Sequence, residues 1–369
     1  MKKRLSKQQY ITIIILFVLV VVLGIALALF WYYDGMFTEG TAGKLPDNVQ
    51  TEKPTAPEEV REGQQNILIC AIDFTVDENR DYAEGKGLTD VMLYVNLRTD
   101  KDGKVSANVL QIPRDTYVGF DRSPNGRLNG IYANGPDQTN LIANLANELN
   151  RDFALPVDDY VVFNMDVFRE IINTIGGIDI YVPWDVYSLD ANGAKIKEIK
   201  QGQQRLSGDD AAWLVRQREM YAQKDYKRLE LQQYFYKAVF QTIRKDFPLS
   251  EAPVMAKRVA HYCNTDMNLS DLIGMFTKVM SIQEENIFIV RAPGGSLSVE
   301  NPATGKKESP YGINAENFAP ILNEHFRYAS SPVPASAFDI PTGFTYALGE
   351  THDKGKTLGD IATTPENAG

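Results

Sequence analysis

Residues 91–112 read VMLYVNLRTDKDGKVSANVLQI, two β-branched-rich runs on either side of Asp100-Lys101-Asp102-Gly103. Four residues of turn composition between apolar stretches make a hairpin, so Val91–Leu97 and Lys104–Ile112 are expected to pair antiparallel. Upstream, Asn66–Ile72 (NILICAI) is a third short apolar run and reads as another strand. Downstream, Gln138–Leu149 reads as a helix and Tyr160–Asn164 as a strand. Met165, Phe168, Ile171, Ile172 and Ile175 then fall at helical spacing, and Gly176-Gly177 stops that helix. Ile178–Val182 is a strand ended by Pro183, and Ser207 caps a helix running through Val215. Tyr226–Phe247 reads as a long helix with Leu229, Tyr236, Phe240 and Ile243 on one side. Helices over 253–262 and 269–282 and a last strand over 286–290 complete the series. Strands and helices so mixed imply a layered α/β/α domain around a mixed central sheet, bounded at about 64–328.

The segments outside that domain differ in kind. Ile11–Tyr33 holds 23 residues without a charge or a proline. As a helix it would span roughly 34 Å at 1.5 Å per residue, enough for a hydrocarbon core about 30 Å thick. Lys2, Lys3, Arg4 and Lys7 precede it, so residues 1–10 are expected in the cytoplasm and everything after Asp34 outside the cell membrane. Ala26-Leu27-Ala28 is the competing signal, a small-x-small site at which a secretory peptide would be cut. Residues 34–63 are polar and rich in Gly, Pro, Thr and Glu, as in a linker, and 329–369 read as a polar tail that packs weakly.

The chain has 369 residues and a net charge of -10, which excludes non-specific nucleic-acid binding because an acidic surface repels phosphates. A phosphate site must therefore be a local cluster of cations. Cys70 and Cys263 lie in apolar stretches; buried thiols and a single disulfide both fit. The two cysteines and three histidines have no zinc spacing, and the Walker, GxGxxG, HExxH and GxSxG signatures are absent.

What remains is arginines and aspartates at element ends. Pro113 ends a strand and leaves Arg114 at the sheet edge, where a guanidinium can fork onto phosphate; an ordinary Arg114–Asp115 surface pair is the alternative. Arg216 and Arg218 point the same way if the chain is extended there, and about 200° apart if the helix continues. Arg228 and Gln232, four apart, share a helix face near its start, and Asp225 fits the N-cap. Asp73 follows the first strand and Asp90 opens the second. Carboxylates at adjacent strand ends suit Mg²⁺, although aspartate is also common in turns.

Taken in order, these segments resemble the LytR–CpsA–Psr (LCP) family of Gram-positive cell-wall proteins. The resemblance is carried by 66–73, Thr89-Asp90-Val91-Met92, Ile112-Pro113-Arg114-Asp115-Thr116, Arg127-Leu128-Asn129, 157–168 and Ile175-Gly176-Gly177-Ile178. Leu206-Ser207-Gly208, Val215-Arg216-Gln217-Arg218, and Asp225 with Arg228 and Gln232-Gln233 complete it. The resemblance implies a membrane-anchored phosphotransferase. It would move a glycopolymer such as teichoic acid or capsule polysaccharide from a polyprenyl-diphosphate carrier onto peptidoglycan, with the prenyl chain in an apolar tunnel. A diphosphate hydrolase side activity and a non-catalytic tethered binder of such intermediates are the alternatives. Carried over by residue, Asp73 and Asp90 would hold Mg²⁺. Arg114, Arg216, Arg218 and Arg228 would clamp the diphosphate with Gln232 in support, and Asp225 would orient Arg228 or take a proton. Leu88 and Leu231 stand where the family usually has arginine, which would shift that work to Lys86, Lys227 or Arg127.

Overall fold

The computed structural model describes residues 63–72, 87–182, 184–190, 192–216, 224–327, 332–351 and 353–361. The segments read as cytoplasmic terminus, membrane helix and linker lie outside these. Among the described residues no helix is long and apolar enough to cross a membrane.

β1 (Gln64–Ile72), β2 (Thr89–Thr99) and β3 (Val105–Gln111) form an antiparallel meander, with β2 and β3 paired as the turn composition predicts. A short helix α1 (Leu128–Asn134) and α2 (Leu141–Phe153) follow. β4 (Asp159–Asn164) then lies parallel to β1. Its last residue, Asn164, accepts a 2.9 Å bond from Val167 N and so caps α3 (Met165–Thr174). Gly176 and Gly177, at φ +79° and +95°, stop α3 in the left-handed conformation that glycine adopts without steric cost.

β5 (Ile178–Val182) pairs with β8 (Gly202–Leu206), and between them β6 (Val186–Leu189) and β7 (Lys195–Ile199) form a separate hairpin. α4 (Gly208–Arg216) is capped by Ser207, whose hydroxyl accepts from Asp210 N. α5 (Lys224–Asp246) and α6 (Ala252–Tyr262) lead to β9 (Asn264–Thr265), and α7 (Leu269–Ser281) leads to β10 (Ile287–Arg291). The chain continues through β11 (Gly294–Ser296), β12 (Val299–Glu300), β13 (Lys307–Glu308), β14 (Tyr311–Ile313) and α8 (Ala315–His325). β15 (Leu348–Thr351) and β16 (Lys356–Thr357) end it.

The main sheet has seven strands in the order β16-β10-β3-β2-β1-β4-β9 and mixes parallel with antiparallel pairs. Side chains alternate across it. Leu68, Met92, Tyr94 and Leu110 face one core with α1, α2 and α8; Ile67, Leu97, Ala107 and Ile289 face another with α5, α6 and α7. Helices on both faces make the layered α/β/α arrangement. Cys70 and Cys263 belong to these opposite cores and form no disulfide, so the disulfide alternative is ruled out. Burial pushes the Cys263 thiol up to about 12 and Cys70 higher still.

One expectation is corrected. Within the expected tail, residues 332–351 and 353–361 do not pack weakly: Phe338 and Ile340 are buried beside α2, and Leu358 and Ile361 enter the core under α5–α7. β15 pairs with β11 and β16 with the edge of β10. The buried ammonium of Lys237 on α5 donates to the carbonyls of Gly359 and Ile361. Four apolar side chains and an edge strand supply the burial that the polar composition hid.

Candidate functional site

Sheet direction gathers the chemistry. β1, β3, β4 and β10 run the same way, and β2 runs against them. The carboxyl ends of those four strands and the amino end of β2 therefore share one edge, the usual place for ligands in open α/β sheets. That edge carries Thr89 and Asp90, Gln111 through Asp115, Asn164 and Arg291. Asp73 follows β1 there in sequence but lies outside the described residues.

At that edge Pro113 ends the ladder. Ile112 N makes the last bond, to Met92 O at 3.0 Å, and Thr116 N and Oγ1 then both donate to Pro113 O. The turn is stapled to α1, because Asn129 N donates to Arg114 O and Leu128 N to Thr116 O. Arg114 is thereby held against the Asp90 carboxylate, its closest ion pair, with Asp115 at 3.7 Å from Nε. Arg127, just before α1, approaches Asp115 at 3.7 Å and Glu308 at 3.4 Å. Arg127 was expected only as a replacement cation; Asp115 and Glu308 were not singled out as site groups at all.

Two guanidinium groups against three carboxylates leave this cluster one negative charge, so an anionic ligand there needs further positive charge. The Nε–H groups of Arg114 and Arg127 and the hydroxyl of Thr89 are buried without a hydrogen-bond acceptor or donor partner. Buried polar atoms left so are uncommon in folded proteins and cost about 1–3 kcal/mol each. Guanidinium and hydroxyl donors grouped in this way can bind an oxygen-rich ligand.

The remaining expected residues separate. Gln232 is buried on α5 and accepts from Gln111 Nε2 at 3.4 Å, while Gln233 Nε2 donates to Gln111 Oε1 at 3.3 Å. Gln111, missed in the sequence, is the link between the α5 amides and the strand that carries Arg114. On β3 it ends the face that Val105, Ala107 and Val109 keep apolar, a local oddity that does not say which strand or helix will meet it. Arg216 is the last residue of α4 and its Nε donates back to Ala212 O at 3.1 Å. The extended reading of this stretch therefore fails as far as Arg216; Arg218 lies outside the described residues. Asp225 and Arg228 fall on the first turns of α5, and their side chains lie outside the described set. Leu231 is fully buried among Ile172, Phe235 and Leu214, a packing position, whereas Leu88 is 39 % exposed. Lys86 and the Lys227 side chain are outside the described residues.

Beside the cluster the sheet offers an apolar floor. Val161, Ile69, Leu93, Gln111 and Arg291 are register partners across β4, β1, β2, β3 and β10. Ile69, Leu93, Val95, Val109 and Phe163 stay half-buried on central strands, although α5, α6 and α7 pack over that face. A helix layer in full contact would bury them. Among the described residues no three His, Cys, Asp or Glu side chains are placed so that together they could hold a metal ion. Asp90 and the Thr89 hydroxyl are hard oxygen donors of the kind Mg²⁺ takes.

The profile of the LytR_cpsA_psr family matches residues 32–318. The polyisoprenyl-teichoic acid–peptidoglycan teichoic acid transferase TagV of Bacillus subtilis is 26 % identical over 255 residues, covering 67 % of this chain and 63 % of TagV. The similarly named TagU of Halalkalibacterium halodurans is 27 % identical over 209 residues, 56 % of this chain and 62 % of that protein. The chain thus spans less than two thirds of the length of these relatives. The crystal structure of B. subtilis TagV superposes with a TM-score of 0.55 at 22 % identity, covering 72 % of this chain and 97 % of the other. That of gbs0355 from Streptococcus agalactiae gives 0.58 at 18 %, covering 76 % and 94 %. At those identities the likeness is one of fold.

Proposed function

Since this chain belongs to the LytR–CpsA–Psr family, we propose that it moves a teichoic-acid-type glycopolymer from a polyprenyl diphosphate onto peptidoglycan. The observation that carries the reading is the Arg114–Asp90–Asp115–Arg127 cluster, with its unsatisfied donors, at the end of a half-open apolar floor. A prenyl chain suits the floor and a diphosphate suits the donors. The names of TagV and TagU, which are of the same family, support the donor and acceptor classes.

In the proposed reaction an acceptor hydroxyl of peptidoglycan attacks the phosphorus nearer the glycan. A new O–P bond forms, the bridging P–O bond breaks, and polyprenyl phosphate leaves with the electron pair. Such a transfer needs alignment and charge neutralisation rather than a covalent nucleophile. Arg114 and Arg127 would bind the non-bridging oxygens, with Arg216, Arg218 and Arg228 reaching the same headgroup. Gln232, through Gln111, would fix α5 against the sheet. Asp225 would orient Arg228 or accept the hydroxyl proton. Asp90, Asp73 and the Thr89 hydroxyl would hold Mg²⁺, which when bound would offset the charge of the diphosphate. Residues 11–33 would anchor the chain in the cell membrane with its domain outside.

The second reading is a tethered binder without turnover. Leu231 in the core and Arg216 bonded to its own helix favour it, since both reduce the cations at hand. Full-length protein in detergent, given a polyprenyl-diphosphate-linked glycopolymer and peptidoglycan, should release polyprenyl phosphate and label the peptidoglycan, and EDTA should stop both. Binding without release would leave the binder; no binding of the donor would remove both readings.

A further inference from the structure

Arg291 closes β10 and is 5 % exposed. It shares a register row with Gln111, and strand alternation puts its side chain on the same face as Ile289, under α5–α7. Neighbouring strands lie about 4.8 Å apart, so the Arg291 and Gln111 side chains are adjacent. Gln111 in turn holds the two α5 amides. A buried cation therefore sits where the apolar floor meets the polar edge, one strand away from the one that leads to Arg114. Its backbone is fixed from both directions: Ala292 N donates to Gln111 O at 3.0 Å, and Arg291 N donates to Asp353 Oδ2 at 3.0 Å.

We propose that Arg291 is a further diphosphate-binding residue, one that fixes the headgroup at the junction of floor and edge. The proposal rests on the polyprenyl-diphosphate reading above. It also gives the net-negative cluster a cation from the sheet itself, where α5 has given position 231 to packing. A guanidinium forks onto two phosphate oxygens and is more weakly hydrated than an ammonium, which suits a buried place.

The test uses full-length protein in detergent micelles and compares its affinities for a polyprenyl diphosphate and for the polyprenyl alcohol of the same length. Arg291→Met should lower diphosphate affinity at least tenfold and leave alcohol affinity unchanged, with Arg291→Lys intermediate. Unchanged diphosphate affinity in folded Arg291→Met overturns the proposal. So does an equal loss for both ligands, the signature of a packing defect. If Arg291→Met does not fold, Arg291→Lys decides: a selective loss for the diphosphate supports the role, and no selective loss overturns it. Wild-type protein that binds no polyprenyl diphosphate sinks the underlying function instead. Selective loss in Arg114→Ala but not at position 291 keeps that function and removes Arg291.

Discussion

Arg114 shows how much a single side chain can carry. Its loop is fixed by backbone bonds to α1 and by the Pro113 turn, none of which involves the guanidinium. Arg114→Ala should thus keep the fold while lowering the transfer rate about 10²–10³-fold, the usual loss for one transition-state donor. Arg114→Lys, with charge but no fork, should fall between, and single-turnover release of polyprenyl phosphate would measure both. A rate unchanged in Arg114→Ala would move the site elsewhere. Arg114 was legible from sequence because a proline after an apolar run marks a strand end. Gln111 and Arg291 were not, because their importance comes from being register partners across about 180 intervening residues. No local pattern encodes which strand will lie beside which. Arg216 stayed open between two readings for a related reason, since two arginines with one residue between them face together only outside a helix.

At the scale of elements, Gly177 after α3 and Gly193 in the β6–β7 turn separate two costs that usually mix. Gly177 has φ +95°, and a Cβ there would lie 2.7 Å from Leu206 O. Gly193 has φ +83° with nothing within 4 Å. Gly193→Ala should cost about 1 kcal/mol from left-handed backbone strain alone. Gly177→Ala should cost at least about 2 kcal/mol, because β8 must also move; urea denaturation of both variants gives the comparison. Equal losses would show that β8 yields freely. The long elements were readable, as β1–β5, α2–α7 and β10 have periodicity over five or more residues. The β6–β7 hairpin, β8, β9, α1, α8 and the strands from β11 onward were not. Strands of two to five residues with charged and polar side chains give too little alternation to register, α1 is only two turns long, and Pro320 inside α8 interrupts the helical signal.

For the molecule as a whole, α2 and the C-terminal segment meet through charge. Arg122 Nη1 contacts Asp152 at 2.8 Å and Glu148 at 3.3 Å, and its Nη2 lies 2.7 Å from Asp339. Burial, reinforced by Glu148, pushes the Asp152 carboxyl up to about 8. The folded chain then binds more protons than the unfolded one from the ordinary aspartate range up to about pH 8. Stability must fall as pH rises through that window. Melting temperatures at pH 5.5 and 8.5 should show the decline, and Asp152→Asn should remove most of it; an undiminished slope would assign the effect to other groups. Deleting 353–369 would expose the β10 edge, remove Leu358 and Ile361 from the core and take away the Lys237 carbonyl partners. Two buried aliphatic side chains alone contribute roughly 3 kcal/mol or more. The truncated chain should therefore lose at least that much in denaturant titrations, and a stability equal to the full chain would show the segment to be dispensable.

The strap formed by β16 and Asp353 also sets a timetable. Ribosomes make β1, β2 and β3 before the rest of the sheet, and that meander needs only nearby partners, whereas β10 waits for α7 and is braced by Asp353 and β16, which are translated well after it. A growing chain therefore has its greasy floor before it has a finished mouth. A polypeptide released before Asp353 is made would have the floor without its latch. Messages that stop short of codon 353 should yield protein without donor binding rather than a weakened binder.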